Sequence, residues 1–146
     1  MRLTVHTDYA LRSLMFLANS GGRLIPAREI GEVYDISSQH LSKVAQSLAD
    51  LGLIETVRGR GGGLRLAKAP EQIVLGPMMR ALEQGSALVE CFPGGRQGCK
   101  IAPVCRLGGI LAEAQEAFYA VLDGYTLADL TADNPALTGL LTEDLL

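Results

Sequence analysis

No stretch of the 146-residue chain approaches the roughly 18 uninterrupted apolar residues of a membrane span. The first residues also lack an apolar run followed by a small-residue cleavage site. No membrane partner is expected, and a cytoplasmic location is. There is no repeat with a period of about 20 to 50 residues and no low-complexity segment, which excludes solenoids and biased tracts. Catalytic signatures are missing as well. There is no Gly-x-Gly-x-x-Gly after a strand, no nucleophile elbow, no His-Glu-x-x-His and no evident pair of catalytic carboxylates, so an enzyme is not expected. Cysteine is limited to three residues, an odd number that fits poorly with a disulfide framework.

What is present is enough to fold. With 48% hydrophobic and 20% charged residues, the chain suits one ordinary core, or a small domain with an oligomerisation element. Its net charge of −3 is mild but unevenly placed: Lys and Arg outnumber Asp and Glu by 9 to 6 over residues 1–70, and are outnumbered by 4 to 10 over residues 71–146. A basic front and an acidic back are expected where one end meets a polyanion and the other meets something else.

The periodicity predicts a helix from Thr7 to Asn19, with Thr7 as N-cap and Ala10, Leu11, Leu14, Met15 and Ala18 on its apolar face. A short helix follows Pro26. After the turn at Ile36-Ser37-Ser38 comes a helix from Gln39 to Leu51, ended by Gly52. Residues 53–57 and 63–67 are strand-like runs around a basic, glycine-rich tip, which reads as a β-hairpin. Two helices with a short turn, then a hairpin, make a winged helix-turn-helix. Beyond Pro70 and Gly76-Pro77, a helix is expected from Met78 to Leu88. A long one runs from Leu107 to Leu122, where Leu107, Leu111, Ala114, Phe118, Val121 and Leu122 form an apolar stripe suited to pairing with a second copy. The expected class is thus mainly α with a small β-hairpin. It comprises a winged helix-turn-helix domain at 1–70, a loop and dimerisation helices at 71–130, and a loosely held tail at 131–146.

Duplex DNA is held mainly through its phosphates and read where side chains reach base edges in the major groove. Ser37, Ser38, Gln39, His40 and Lys43 occupy the start of the second helix of the motif. Gln39 suits bidentate pairing with adenine, and Lys43 suits guanine or phosphate. At the hairpin tip, Arg58 and Arg60 suit the minor groove or flanking phosphates, with the glycines allowing close backbone approach. Taken singly, Ser37 serves equally as a helix cap and Lys43 as a solvated charge. It is their place in the order of elements that points to DNA.

Cys91, Cys99 and Cys105 lie in a loop broken by Gly94, Gly95, Gly98 and Pro103. Their gaps of seven and five residues differ from the short Cys-x2-Cys pairs of zinc ribbons. Thiolates also suit iron-sulfur clusters, whose larger core accepts widely spaced ligands. Arg96, Lys100 and Arg106 can offset the negative charge of such a group. Reduced structural cysteines and a thiol-only redox switch are the alternatives. Any fourth ligand must come from outside the loop, because the two histidines of the chain, His6 and His40, lie far from it in sequence.

The start Met1-Arg2-Leu3-Thr4, the segment Thr7-Asp8-Tyr9-Ala10-Leu11-Arg12, the tip Arg58-Gly59-Arg60-Gly61-Gly62-Gly63 and the three cysteines together resemble the iron-sulfur winged-helix repressors. The resemblance spans roughly residues 1 to 130. It is nearest to the nitric-oxide-sensing branch, since the first cysteine gap is seven residues and Gly108 stands where the cluster-biogenesis branch offers a histidine. The resemblance implies a homodimeric repressor whose cluster, 4Fe-4S in preference to 2Fe-2S, is held by the three cysteines and by Asp8 of the partner subunit. It also implies release of DNA on nitrosylation. The alternative function is an iron-sulfur or thiol-based regulator of redox state or iron supply. Asp8 also has a purely local reading, as a first-turn acid paired with Arg12.

Overall fold

The computed structural model describes residues 2–143. Helix α1 (Val5–Ala18) begins earlier than its apolar face suggests. The N-cap is Thr4, whose hydroxyl accepts from the Thr7 amide at 3.1 Å, while Thr7 lies inside the helix and is fully buried. Thr4 is held in turn by Glu83, whose carboxylate accepts from the Thr4 amide and hydroxyl, both at 2.9 Å. A contact 79 residues away in sequence thus selects the cap, which is why local pattern misplaces it.

Helices α2 (Ala27–Tyr34) and α3 (Ser38–Asp50) form the helix-turn-helix. Asp35 ends α2 in a left-handed conformation, and Ser37 caps α3 by accepting from the His40 amide at 3.3 Å. Strands β1 (Ile54–Val57) and β2 (Gly63–Leu66) pair antiparallel with Ile54 opposite Leu66 and Val57 opposite Gly63. Glu55 and Arg65 sit across from each other and form an ion pair of 2.7 Å. Ile25 exchanges both backbone bonds with Leu64, at 2.9 and 2.8 Å, and so fastens this wing to the loop before α2. The element order expected for a winged helix is the order observed.

A 3-10 turn (Pro70–Gln72) leads to α4 (Leu75–Leu82), a second 3-10 turn (Ala102–Val104) precedes α5 (Leu107–Leu122), and α6 (Leu127–Thr131) and α7 (Pro135–Glu143) follow. Helix α4 replaces the expected Met78–Leu88 helix. Pro77 is accommodated in its first turn, where no amide donor is required, and the chain leaves the helix before Gly85, which has φ +91°. Bonds from the Leu75 amide to the Tyr125 carbonyl and from the Leu127 amide to the Ile73 carbonyl, both 2.9 Å, return the end of α5 to the body. The segment expected to be a loose tail includes α7, whose Leu141 is buried and whose Thr138 hydroxyl donates to Asn19 at 2.9 Å. Residues 144–146 of that tail lie outside the described residues.

The core runs from α1 through α3 to α4 and α6: Ala10, Leu14, Ile25, Ile30, Leu48 and Leu127 are fully buried. Leu48→Ala removes three carbons from this packed centre and is expected to cost about 2–5 kcal/mol. Urea unfolding with an unchanged m-value checks it.

Candidate functional site

All seven residues expected at the DNA surface are exposed. Ser37, Ser38, Gln39, His40 and Lys43 line the outward start of α3, while Leu41, Val44, Ala45 and Leu48 turn inward. Gln39, Lys43, Arg58 and Arg60 make no side-chain hydrogen bond or ion pair among the described residues, so their polar atoms stay available to a ligand. His40 differs. Its Nδ1 lies 3.0 Å from the Ser37 hydroxyl, and its ring meets the Tyr9 ring edge-on at 5.7 Å. Ser37 acts as the cap of α3, as its local reading held. At the wing tip the glycines serve the turn itself: a Cβ on Gly62 would overlap the Val57 carbonyl. Other cations nearby are already engaged, since Arg28 pairs with Glu32 at 3.4 Å and Arg65 with Glu55.

The three cysteines are free thiols of intermediate burial. The stretch between Cys91 and Cys99 is folded by its own bonds. The Gln97 amide donates to the Glu90 carbonyl at 3.1 Å, the Gln97 side chain donates to the Phe92 carbonyl at 2.6 Å, and the Gly95 amide donates to the same carbonyl at 2.9 Å. Gly94 has φ +87°, and a Cβ there would come within 2.5 Å of the Gly85 carbonyl oxygen, so this turn requires glycine on both counts. Cys105 ends the second 3-10 turn directly before α5. Cys91 reaches the same place: a Cβ on Gly108 would be 3.8 Å from its sulfur. Cys91 thus brings its sulfur to the first turn of α5, and Cys105 stands two residues before that helix. Arg96, Lys100 and Arg106 are exposed and form no ion pair among the described residues.

Among the described residues, no three His, Cys, Asp or Glu side chains gather closely enough to hold one metal ion. Three free thiols on a short, self-bonded loop supply the soft ligands that an iron-sulfur group takes. Asp8 is half-exposed and is bound within its own chain. It pairs with Arg12 at 2.9 Å and accepts a second bond from Arg12 Nε at 3.3 Å. The Arg12 guanidinium also lies 6.0 Å over the Tyr34 ring, whose hydroxyl is pushed up by burial.

Behind the loop, Arg80 of α4 binds Asp123 at 2.6 Å and Glu116 at 3.2 Å, and lies 5.0 Å over the Tyr119 ring. These bonds hold Arg80 charged well beyond its ordinary range, and its guanidinium holds the Asp123 carboxyl below its own. Glu83 and Arg80, which join α4 to α1 and to α5, were not found from sequence. Their partners lie 79 and 36 to 43 residues away, beyond any local signal.

The stripe expected on α5 divides in two. Of its residues, Leu111, Phe118 and Leu122 are half-buried while Leu107, Ala114 and Val121 are exposed; outside the expected stripe, Tyr119 is buried and Ile110 exposed. Ile101 and Val104 extend the exposed apolar ridge toward the cysteine loop. No helix among the described residues is long and apolar enough to cross a membrane.

Comparison with known proteins places these features. The chain is 49% identical over 144 residues to the HTH-type transcriptional regulator NsrR of Geobacillus kaustophilus, covering 98% of each. It is 47% identical to the regulator of that name from Bacillus subtilis, covering 97% of each. The structure of CymR, the global cysteine regulator of Bacillus subtilis, shares the fold with a TM-score of 0.67 at 24% identity, over 90% of this chain and 97% of that one. The Rrf2 model, described as an iron-dependent transcriptional regulator, matches residues 3–133. The chain belongs to the Rrf2 family, and it is a winged-helix transcriptional regulator rather than an enzyme.

Proposed function

We propose that this regulator is a cytoplasmic homodimeric repressor that binds double-stranded DNA through residues 1–70. On this reading an iron-sulfur cluster rests on the loop and helices of residues 71–130, and DNA is released in response to nitric oxide. The observation that carries the proposal is three free, partly buried thiols on one short loop, two of them next to the start of a helix whose outer face is apolar and exposed. Cys91, Cys99 and Cys105 would hold the cluster, with Asp8 of the second protomer as the fourth ligand. The 4Fe-4S form follows the resemblance. When bound, the cluster supplies iron open to nitric oxide at the carboxylate-held position, because carboxylate holds iron less firmly than thiolate in a sulfur-rich site.

The residues of the chain do the rest. Asp8 has two competing uses: the ion pair with Arg12 of its own helix, 2.9 Å long, and a bond across to the other protomer's loop. Engaged across the dimer, it fixes α1 of one protomer against the loop of the other. Returned to Arg12, it leaves the two winged helices without that tie. Two recognition helices fit successive major grooves only at a spacing of about 34 Å, so the tie selects between binding-competent and incompetent dimers. Gln39 reads base edges, Lys43 meets guanine or phosphate, Arg58 meets flanking phosphates and Arg60 enters the minor groove.

Anaerobic purification followed by absorption spectroscopy, iron and sulfide analysis and DNA titration tests this. The expected result is a coloured protein with a visible charge-transfer band whose DNA affinity falls on stoichiometric nitric oxide. A colourless or zinc-loaded protein overturns the cluster. Loss of binding with peroxide or iron chelation but not with nitric oxide moves the reading to a redox or iron-supply regulator.

A further inference from the structure

Two directional side-chain contacts join α1 to α3 among the described residues, and both involve a histidine of a chain that has only two. His6 Nε2 lies 3.0 Å from the Ser47 hydroxyl. One turn further along α1, the Tyr9 ring meets the His40 ring at 5.7 Å with 61° between planes. The contacts reach opposite ends of α3, and Asp8 lies between His6 and Tyr9 in sequence. At about 100° per residue, Asp8 cannot share the face of α1 that carries His6 and Tyr9, and its side chain is indeed occupied by Arg12. Thus α1 presents one face to the recognition helix and another to whatever holds Asp8.

Both helices also contribute buried apolar side chains to the common core, among them Ala10 and Leu14 of α1 and Leu41 and Leu48 of α3. Such contacts are close-packed but non-directional. A hydrogen bond and an edge-on ring pair are directional, and fix the relative orientation of the two helices toward each end of α3. The His40 ring is fixed on its other side by the Ser37 hydroxyl, which also caps α3 through the His40 amide. A movement of Tyr9 is therefore delivered to the cap of α3, next to Gln39.

We infer that the His6–Ser47 and Tyr9–His40 contacts are pins that convert a shift of α1 at Asp8 into a reorientation of the recognition helix, which makes His6, Tyr9 and Ser47 positioning residues for the response. This rests on the proposed role of Asp8 and gives the route by which that role reaches DNA. His40, expected from sequence to contact DNA, has its ring engaged within the protein and acts here through Gln39 and the α3 cap.

The test compares the affinity of cluster-loaded and metal-free protein for a duplex selected from a random pool by the loaded wild type. Ser47→Ala and Tyr9→Ala are each expected to lower the loaded-to-free affinity ratio by about 2- to 30-fold, with cluster content and melting temperature close to wild type. Tyr9→Phe, which keeps the ring, is expected to retain the ratio. Hydrogen exchange gives a second readout: removing the cluster from wild type changes exchange at residues 38–43, whereas in Tyr9→Ala the change stays within α1. Variants that keep both the ratio and the α3 exchange response overturn the pins while leaving the cluster switch standing. A wild type whose loaded and free forms bind equally overturns the switch and the pins with it. If Tyr9→Ala is unstable, Ser47→Ala decides, because Ser47 is only partly buried and, among the described residues, its hydroxyl has His6 as its one hydrogen-bond partner.

Discussion

Cys99→Ala protein is expected to purify without the colour of wild type and to lose specific DNA affinity by about a thousandfold or more, down to the level of non-specific binding. Cys99 is a half-exposed thiol whose loop is shaped by backbone bonds and by Gln97, none of which uses the Cys99 side chain. Removing it leaves the fold of the metal-free protein in place, so the variant should melt where metal-free wild type does, and below the cluster-loaded protein, which its bound group stabilises. Lys43, Arg58 and Arg60 remain exposed and uncommitted. The variant therefore keeps the steep salt dependence of phosphate binding while losing discrimination between the selected duplex and random DNA. Fluorescence anisotropy with both duplexes across a salt series separates these terms. An unchanged preference for the selected duplex would show that the thiols do not govern DNA binding.

The elements legible in the sequence are those specified by neighbouring residues. The α3 stripe of Leu41, Val44, Ala45 and Leu48, closed by Gly52, and the basic hairpin tip both stand where local pattern puts them. The start of α1 was misread because Thr4 becomes its cap partly through Glu83, which no local rule connects to it. The expected helix, read from Met78, Met79, Ala81 and Leu82, runs on to Leu88, whereas the chain leaves the helix after Leu82 and turns at Gly85. Helix α7 is held by contacts far away in sequence, through buried Leu141 and the Thr138 hydroxyl on Asn19, which no local pattern announces. The site divides in the same way. Thiols and exposed arginines declare themselves by type, whereas the partner of Asp8 depends on a second chain, and the contacts of His6 and His40 depend on how α1 crosses α3.

Ile110→Lys is the second change with a large expected effect. Leu107, Ile110, Ala114, Ala117 and Val121 follow one another at three- and four-residue steps, the spacing of a seam that packs against another helix. Ile110 is 61% and Val121 65% exposed, while Phe118, Tyr119 and Leu122 on the other side of α5 hold it to the body. A lysine at 110 should therefore leave the protomer folded, with its helical circular dichroism and melting transition retained. In a symmetric dimer the change is made twice. Losing two buried isoleucines at about 1.5–3 kcal/mol each weakens association by about 10²- to 10⁴-fold, so sedimentation should report monomers at micromolar concentration. A single reading head then meets a single half-site, and cooperative binding to the two-half-site duplex disappears. Ile110→Leu, which keeps the apolar volume, should remain dimeric and bind normally. If Ile110→Lys sediments as a dimer, the uncovered face of α5 is not what joins the protomers, and Asp8 cannot be brought to a second loop by it.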